Sequence, residues 1–218
     1  MDSETVVMTV RHGQTDFNMQ RRYAGSIDVP LNEKGAQDAL DAAHSLHEAI
    51  DVTVSSPLRR ALDTARLLVG PAGRIVPCDL CVERDYGAMQ GLTSDEVEDV
   101  RPVIRYFKIA GDFHSLNPPG GETFPALRKR AEEFMQYLWS EHRGRRVLVA
   151  SHEVFLLQLH GFLRGETWRE AMAHRLPNLT LTTFRFEGER LIDENMRPLT
   201  ETAQEDSRIF SHIAEERD

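Results

Sequence analysis

Two short apolar runs, Thr5-Val6-Val7-Met8-Thr9-Val10 and Val147-Leu148-Val149-Ala150, constrain the fold most, because each leads into a histidine. The first is β-branched and too short for an ordinary helix, so it reads as a strand. The second is apolar at every position, the pattern of a strand buried on both faces at a sheet centre. After the first comes Arg11-His12-Gly13-Gln14-Thr15 with Asn18 beyond, and after the second comes Ser151-His152. Gly13 permits a sharp turn that brings backbone N–H groups close to a ligand. In open α/β sheets, ligands bind in the crevice beyond the carboxyl ends of the strands.

Around these runs strands and helices alternate. A helical pattern carries Ala39, Leu40, Ala43 and Leu46, and Val52-Thr53-Val54-Ser55 reads as a strand. Ser56 and Pro57 are suited to the N-cap and first turn of a helix facing the core with Leu58, Ala61, Ala65 and Leu68. The stretch after Gly91 is acidic and irregular. A long amphipathic helix follows, with Phe124, Leu127, Ala131, Phe134, Met135 and Leu138 at three-and-four spacing. Phe155, Leu156, Leu159 and Phe162 mark another. Leu179 to Phe186 and Arg190 to Asp193, separated by Glu187-Gly188-Glu189, predict a β-hairpin. The expected fold is α/β: a three-layer α/β/α sandwich with a mostly parallel central sheet and an antiparallel edge hairpin. One domain is expected over 1–199, with a cap-like insertion around 92–121, and an acidic tail over 200–218 in which Ile209, Phe210 and Ile213 could dock.

Charge limits the partners. With 26 basic and 35 acidic residues the formal charge is −9, which disfavours a nucleic-acid-binding surface. A local cluster of arginines and histidines can still hold an anion. No apolar stretch reaches membrane-span length. The first strand begins within a few residues of Met1, so no signal peptide is expected and a cytoplasmic location is. Cys78 and Cys81 form a lone Cys-x-x-Cys without the second pair or nearby histidines of a zinc ribbon, and within the strand-like Ile75–Val82 they read as buried or half-buried thiols.

Four polar elements fall at strand ends: Arg11-His12, Ser55-Ser56-Pro57-Leu58-Arg59-Arg60-Ala61, Glu83-Arg84-Asp85-Tyr86-Gly87 and Ser151-His152. Each has a plain alternative. Arg59 and Arg60 could be a solvated helix face, His152 a cap, and Glu83 a surface partner of Arg84. Their joint placement favours a shared site. Together with Gly25 through Pro30-Leu31, Gly35, Gln90-Gly91 and Pro119-Gly120-Gly121-Glu122, these motifs resemble the histidine phosphatase superfamily, the phosphoglycerate mutase-like group.

Residue chemistry and this resemblance imply the same roles. His12 attacks a phosphate monoester in line and forms a phosphohistidine, its other ring nitrogen donating to a backbone carbonyl that fixes the tautomer. Arg11, Arg59 and His152 clamp the phosphoryl oxygens, with Asn18 as a neutral donor. Such a clamp can take the place of a metal, and no cofactor is expected. The resemblance gives Glu83 the proton-donor role, its pKa raised by the bound phosphate. Gln14, Gly25, Ser26, Tyr86 and Glu153 are expected to contact substrate.

Glu153 departs from the family pattern, which has Gly after the second histidine. It reads first as a surface acid complementing a helix first turn. The sharper alternative is a carboxylate that enters the pocket, pairs with an arginine, and slows turnover or narrows specificity. The stretch Gly91-Leu92-Thr93-Ser94-Asp95-Glu96 lacks the lysine that the cofactor-dependent mutases carry, and the insertion is short. A phosphatase acting on a small phosphomonoester is therefore expected, with a mutase as the alternative and a non-catalytic phosphate-binding module after that. A homodimer is compatible with the chain.

Overall fold

The computed structural model describes residues 4–201. The acidic tail beyond Glu201, with Ile209, Phe210 and Ile213, lies outside them. Strand β1 (Thr5–Arg11) is followed by the one-turn helix α1 (Asp16–Met19), then α2 (Glu33–Ser45), β2 (Val52–Ser55), α3 (Arg59–Val69) and β3 (Ile75–Pro77). Next come β4 (Tyr106–Ile109), β5 (Asp112–Ser115), α4 (Phe124–His142), β6 (Arg146–Ser151), α5 (Glu153–Leu163), β7 (Thr180–Glu187) and β8 (Arg190–Pro198).

Six strands form one sheet in the order β3-β2-β6-β1-β7-β8. The first four are parallel, and the β7–β8 hairpin adds antiparallel to β1. Alternation sorts each strand between two cores. Val6, Met8, Val10, Leu148 and Ala150 pack against Ala39, Ala42, Ala65 and Leu68 of α2 and α3. Val7, Val147, Val149, Val52 and Val54 face α4 and α5 through Leu127, Phe134, Phe155 and Leu159. Helices thus cover both faces, and the three-layer sandwich expected from the pattern is what forms.

Register positions the chemistry. Val10 pairs with Ala150 and Arg11 with Ser151, so the next residues, His12 and His152, leave the same edge of the sheet side by side. Strand β7 runs back from that edge, and the Leu179 N–H, just before it, donates to the Arg11 carbonyl at 3.0 Å.

Several details differ from the sequence reading. Leu40 is exposed on α2, its core place taken by Ala42, and Phe162 is exposed on α5. Helix α3 starts at Arg59 with Leu58 as its cap, two residues later than Ser56 and Pro57 suggest. The strand after α3 ends at Pro77, and Cys78 caps a single 3₁₀ turn, Asp79–Cys81; Cys81 is buried and Cys78 half-buried. Within the irregular acidic stretch lies an unforeseen two-stranded sheet, β4–β5, turning at Ala110 and Gly111, both at positive φ (48° and 87°). Two left-handed central residues make the tight hairpin turn for which Asn-Gly is the usual signal, and alanine hides it.

Candidate active site

His12 is 4% exposed and held from three sides. Its backbone N–H donates to the Ser151 carbonyl at 3.0 Å, and its carbonyl accepts from Asn178 Nδ2 at 2.6 Å. Its Nδ1 lies 2.7 Å from the Gly13 carbonyl, which can only accept, so the proton sits on Nδ1 and Nε2 presents a lone pair. This is the backbone-fixed tautomer the sequence reading required. The turn is held by close backbone approach: a Cβ on Gly35 would stand 2.1 Å from the Gln14 carbonyl oxygen. The Gly13 N–H donates to Thr64 Oγ1 at 3.0 Å, tying the loop to α3.

The His152 ring is fully buried with its centroid 5.2 Å from that of His12. Its Nδ1 accepts from Arg60 Nε at 3.1 Å, so Nε2 carries the proton and donates to Ser56 Oγ at 2.8 Å. Both nitrogens are therefore partnered by the protein, and the ring holds Arg60 in place. Burial, then the Arg60 and Arg11 charges, push the His12 pKa well below its usual value. Burial and Arg60 do the same to His152. Both imidazoles are neutral at pH 7, as a nucleophile must be.

Arg59 requires a correction. It is exposed on α3, where its backbone N–H meets Asp28 Oδ1 at 2.6 Å. The buried cation is its neighbour Arg60, 1% exposed, whose Nη1 donates to the Ile27 carbonyl at 2.8 Å and Nη2 to the Gly25 carbonyl at 2.7 Å. Burial lowers the Arg60 pKa to about 10, which leaves it charged. The physical reason lies in helical rotation. Positions 60, 64 and 68 share the buried stripe, whereas 59, 63 and 66 share the solvated one, where Asp63 pairs with Arg66. Gly25 and Ser26, expected to touch substrate, instead support this arginine and its loop. Gly25, at φ 52°, offers its carbonyl to Arg60, and exposed Ser26 binds Gln90 Oε1 through its hydroxyl at 2.9 Å.

The Glu83 carboxylate is 9% exposed and accepts backbone N–H bonds from Arg84 at 2.7 Å, Phe155 at 3.1 Å and Val154 at 3.3 Å. Burial raises its pKa, against the pull of these donors and of Arg60. The upward shift expected from bound phosphate is thus already supplied by the protein. Tyr86 lies beside Tyr23, ring centroids 5.1 Å apart, in a small apolar cluster with Met89, Val97 and Ile104.

A hollow of about 310 Å³ opens at this edge, lined among others by Arg11, Gln14, Asn18, Arg21, Arg175 and Glu153. The imidazoles, Arg60 and Glu83 are not on that lining, whereas Arg11 and Asn18 are. Asn18 Oδ1 is fixed by the Thr15 N–H and hydroxyl, each at 3.0 Å. Arg11 Nη1 donates to the Leu176 carbonyl at 2.7 Å and pairs with Glu153 Oε2 at 2.9 Å, while its Nε is buried with no acceptor. The plain reading of Glu153 as a surface acid is therefore corrected: it does open α5, but its carboxylate turns inward to an arginine. Among the described residues no His, Cys, Asp and Glu side chains gather as a metal site would require, and no helix is long and apolar enough to cross a membrane.

The arrangement brings together a neutral imidazole with its lone pair on Nε2, a second imidazole, two buried or half-buried guanidinium groups and a carboxyl with a raised pKa. Arg60, Ser56, Thr64 and Asn178 are the supporting residues that the sequence reading did not assign. The profile of the histidine phosphatase superfamily (branch 1) matches residues 7–195. Phosphoglycerate mutase-like protein 4 of Arabidopsis thaliana is 31% identical over 199 residues, covering 87% of this chain and 85% of the relative. A metal-independent phosphoserine phosphatase of the same plant is 32% identical over 154 residues, covering 68% of this chain and 64% of that protein. Mycobacterial relatives at 37% identity are longer, and this chain spans 41% of their length. Among solved structures, YhfR of Bacillus stearothermophilus superimposes with a TM-score of 0.74 at 28% identity, over 86% of this chain and 94% of that one.

Proposed function

From a chain that belongs to the histidine phosphatase superfamily, we propose a metal-independent phosphatase that hydrolyses a small phosphomonoester through a phosphohistidine on His12. The observation that carries the reading is the pair of neutral, buried imidazoles 5.2 Å apart with Arg60 bonded to one of them. His12 Nε2 attacks phosphorus in line as the P–O bond to the alcohol breaks. Protonated Glu83 gives its proton to the departing oxygen. Water then attacks the phosphohistidine, Glu83 takes up the water's proton, and His12 is released with inorganic phosphate. Charge that spreads over the equatorial oxygens meets Arg11 Nε, the unused N–H groups of Arg60 and the amide of Asn18.

Hydrolysis is preferred to mutase transfer because a carboxylate, Glu153, stands beside Arg11 on the hollow and disfavours a substrate with a second acidic group there. Incubation with p-nitrophenyl phosphate and rapid alkaline quench tests the reading. It expects a base-stable, acid-labile phosphoenzyme at up to one equivalent, absent from His12→Ala. Turnover that persists in His12→Ala refutes it.

A further inference from the structure

Resting on that hydrolase reading, the residues around the entry narrow the alcohol half of the substrate. Arg11 has two edges. Nη1 is occupied by the Leu176 carbonyl and Glu153, whereas Nε is buried without an acceptor. A phosphoryl oxygen can take the Nε edge while Glu153 stays where it is, so the carboxylate flanks the anion site rather than filling it. Glu153 follows His12's partner His152 directly in the chain, is 26% exposed at its side chain, and is the one carboxylate lining the hollow among the described residues. The other polar lining is neutral or cationic: Gln14, Asn18 and Asn178, then Arg21, Arg22 and Arg175. Two of those cations have acidic partners beyond the lining, Arg22 with Glu96 and Arg175 with Asp112. On the α5 side, the charged group that the hollow offers beyond Arg11 is thus negative, while Arg21 lines it elsewhere.

We infer that Glu153 is a specificity residue, and that it selects phosphomonoesters whose alcohol carries an ammonium group a few bonds from the ester oxygen. An ammonium there donates to a carboxylate already fixed by Arg11, with little ordering cost. A carboxylate there meets a like charge in a site of reduced dielectric. A hydrogen bond to a charged group corresponds to ~10–100-fold in affinity, and the lower end is expected because Arg11 shares the carboxylate.

Phosphoethanolamine and propyl phosphate have nearly the same shape and differ by that charge, so they form the test pair. Calorimetric titration of His12→Ala enzyme, which cannot turn over, is expected to show phosphoethanolamine binding about tenfold tighter. In the His12→Ala, Glu153→Gln double variant the two affinities should become equal. Equal affinities before the second substitution, or a preference unchanged after it, overturn the inference. So does an equal loss for both ligands, which would make Glu153 only a positioning residue for Arg11. The wild-type kcat/KM ratio for the pair should follow the binding ratio and fall equally in Glu153→Gln. If the wild type turns over neither compound nor forms a phosphoenzyme, the hydrolase reading fails, while the binding ratio still decides the role of Glu153.

Discussion

Arg60→Lys keeps a cation on α3 and removes only the planar fork, which makes it the sharpest probe of the site. Arg60 directs three N–H groups to Gly25, Ile27 and His152 at 2.7, 2.8 and 3.1 Å from a position 1% exposed. An ammonium on a flexible stem can satisfy one of these acceptors, leaving two buried and unpaired. At ~1–3 kcal/mol for each orphaned acceptor, the expected destabilisation is roughly 2–6 kcal/mol, or a melting temperature lower by roughly 5–20 °C at this chain length. Loss of one preorganised transition-state donor should cost a further ~10²–10³-fold in kcat/KM. Urea unfolding with an unchanged m-value and turnover of an aryl phosphate measure the two effects separately. Arg59→Ala, on the solvated stripe, should lie within about 0.5 kcal/mol of wild type and keep full activity. Arg60→Met should additionally lift the acid limb of the kcat/KM profile to higher pH, because the Arg60 charge helps hold the His12 pKa down. If Arg59→Ala abolished activity while Arg60→Lys was silent, the assignment of the buried cation would be wrong.

Glu83→Gln should lose ~10²–10⁴-fold on alkyl phosphates and much less on p-nitrophenyl phosphate, whose leaving group needs no proton; equal losses would remove Glu83 from the acid role. Gly35→Ala places a methyl group 2.1 Å from the Gln14 carbonyl oxygen and should cost ~1–3 kcal/mol of stability with impaired turnover, so a variant that keeps wild-type melting and activity contradicts the close approach. His160, neutral in the core against Thr9 Oγ1 at 2.8 Å, has its pKa lowered by burial from 6.5 to about 3. The unfolded chain binds that proton first, so stability is complete above about pH 6.5 and declines as pH falls towards 3. At pH 4.5 this one group should have removed about 3 kcal/mol. His160→Gln should flatten the stability profile between pH 6.5 and 4.5 by that amount, and a profile as steep as the wild type's would exclude His160 as a source.

The fold was legible where burial is two-sided or strictly periodic. Val147–Ala150 could only be an interior strand, and the three-and-four spacing from Phe124 to Leu138 left no other face for α4; all six of those residues are buried. Legibility failed where burial is partial. Leu40 and Phe162 fit their stripes yet sit at the rim, exposed at 44% and 37%, because a small residue or the end of the helix already closes the layer. The β4–β5 hairpin escaped notice because its half-exposed strands carry charged residues and its turn uses Ala110-Gly111 in left-handed geometry, which composition does not advertise.

At the site, residue types were legible and orientation was not. His12, His152 and Glu83 sit at strand ends or on a tight loop, where the chain has one direction in which to point a side chain. Arg59 and Arg60 stand on a helix, where a step of one residue turns the side chain through about a quarter of the circle. The choice was nonetheless written in the flanking positions. Asp63 and Arg66 continue the stripe from Arg59 as a solvated ion pair, whereas Thr64 and Leu68 continue the stripe from Arg60 into the core. Glu153 shows the converse case. A helix first turn accommodates an acid for reasons of its own dipole, so its presence there is uninformative. Only the placement of Arg11 across the β1–β6 register, with Nε left unpaired, gives that carboxylate a chemical consequence.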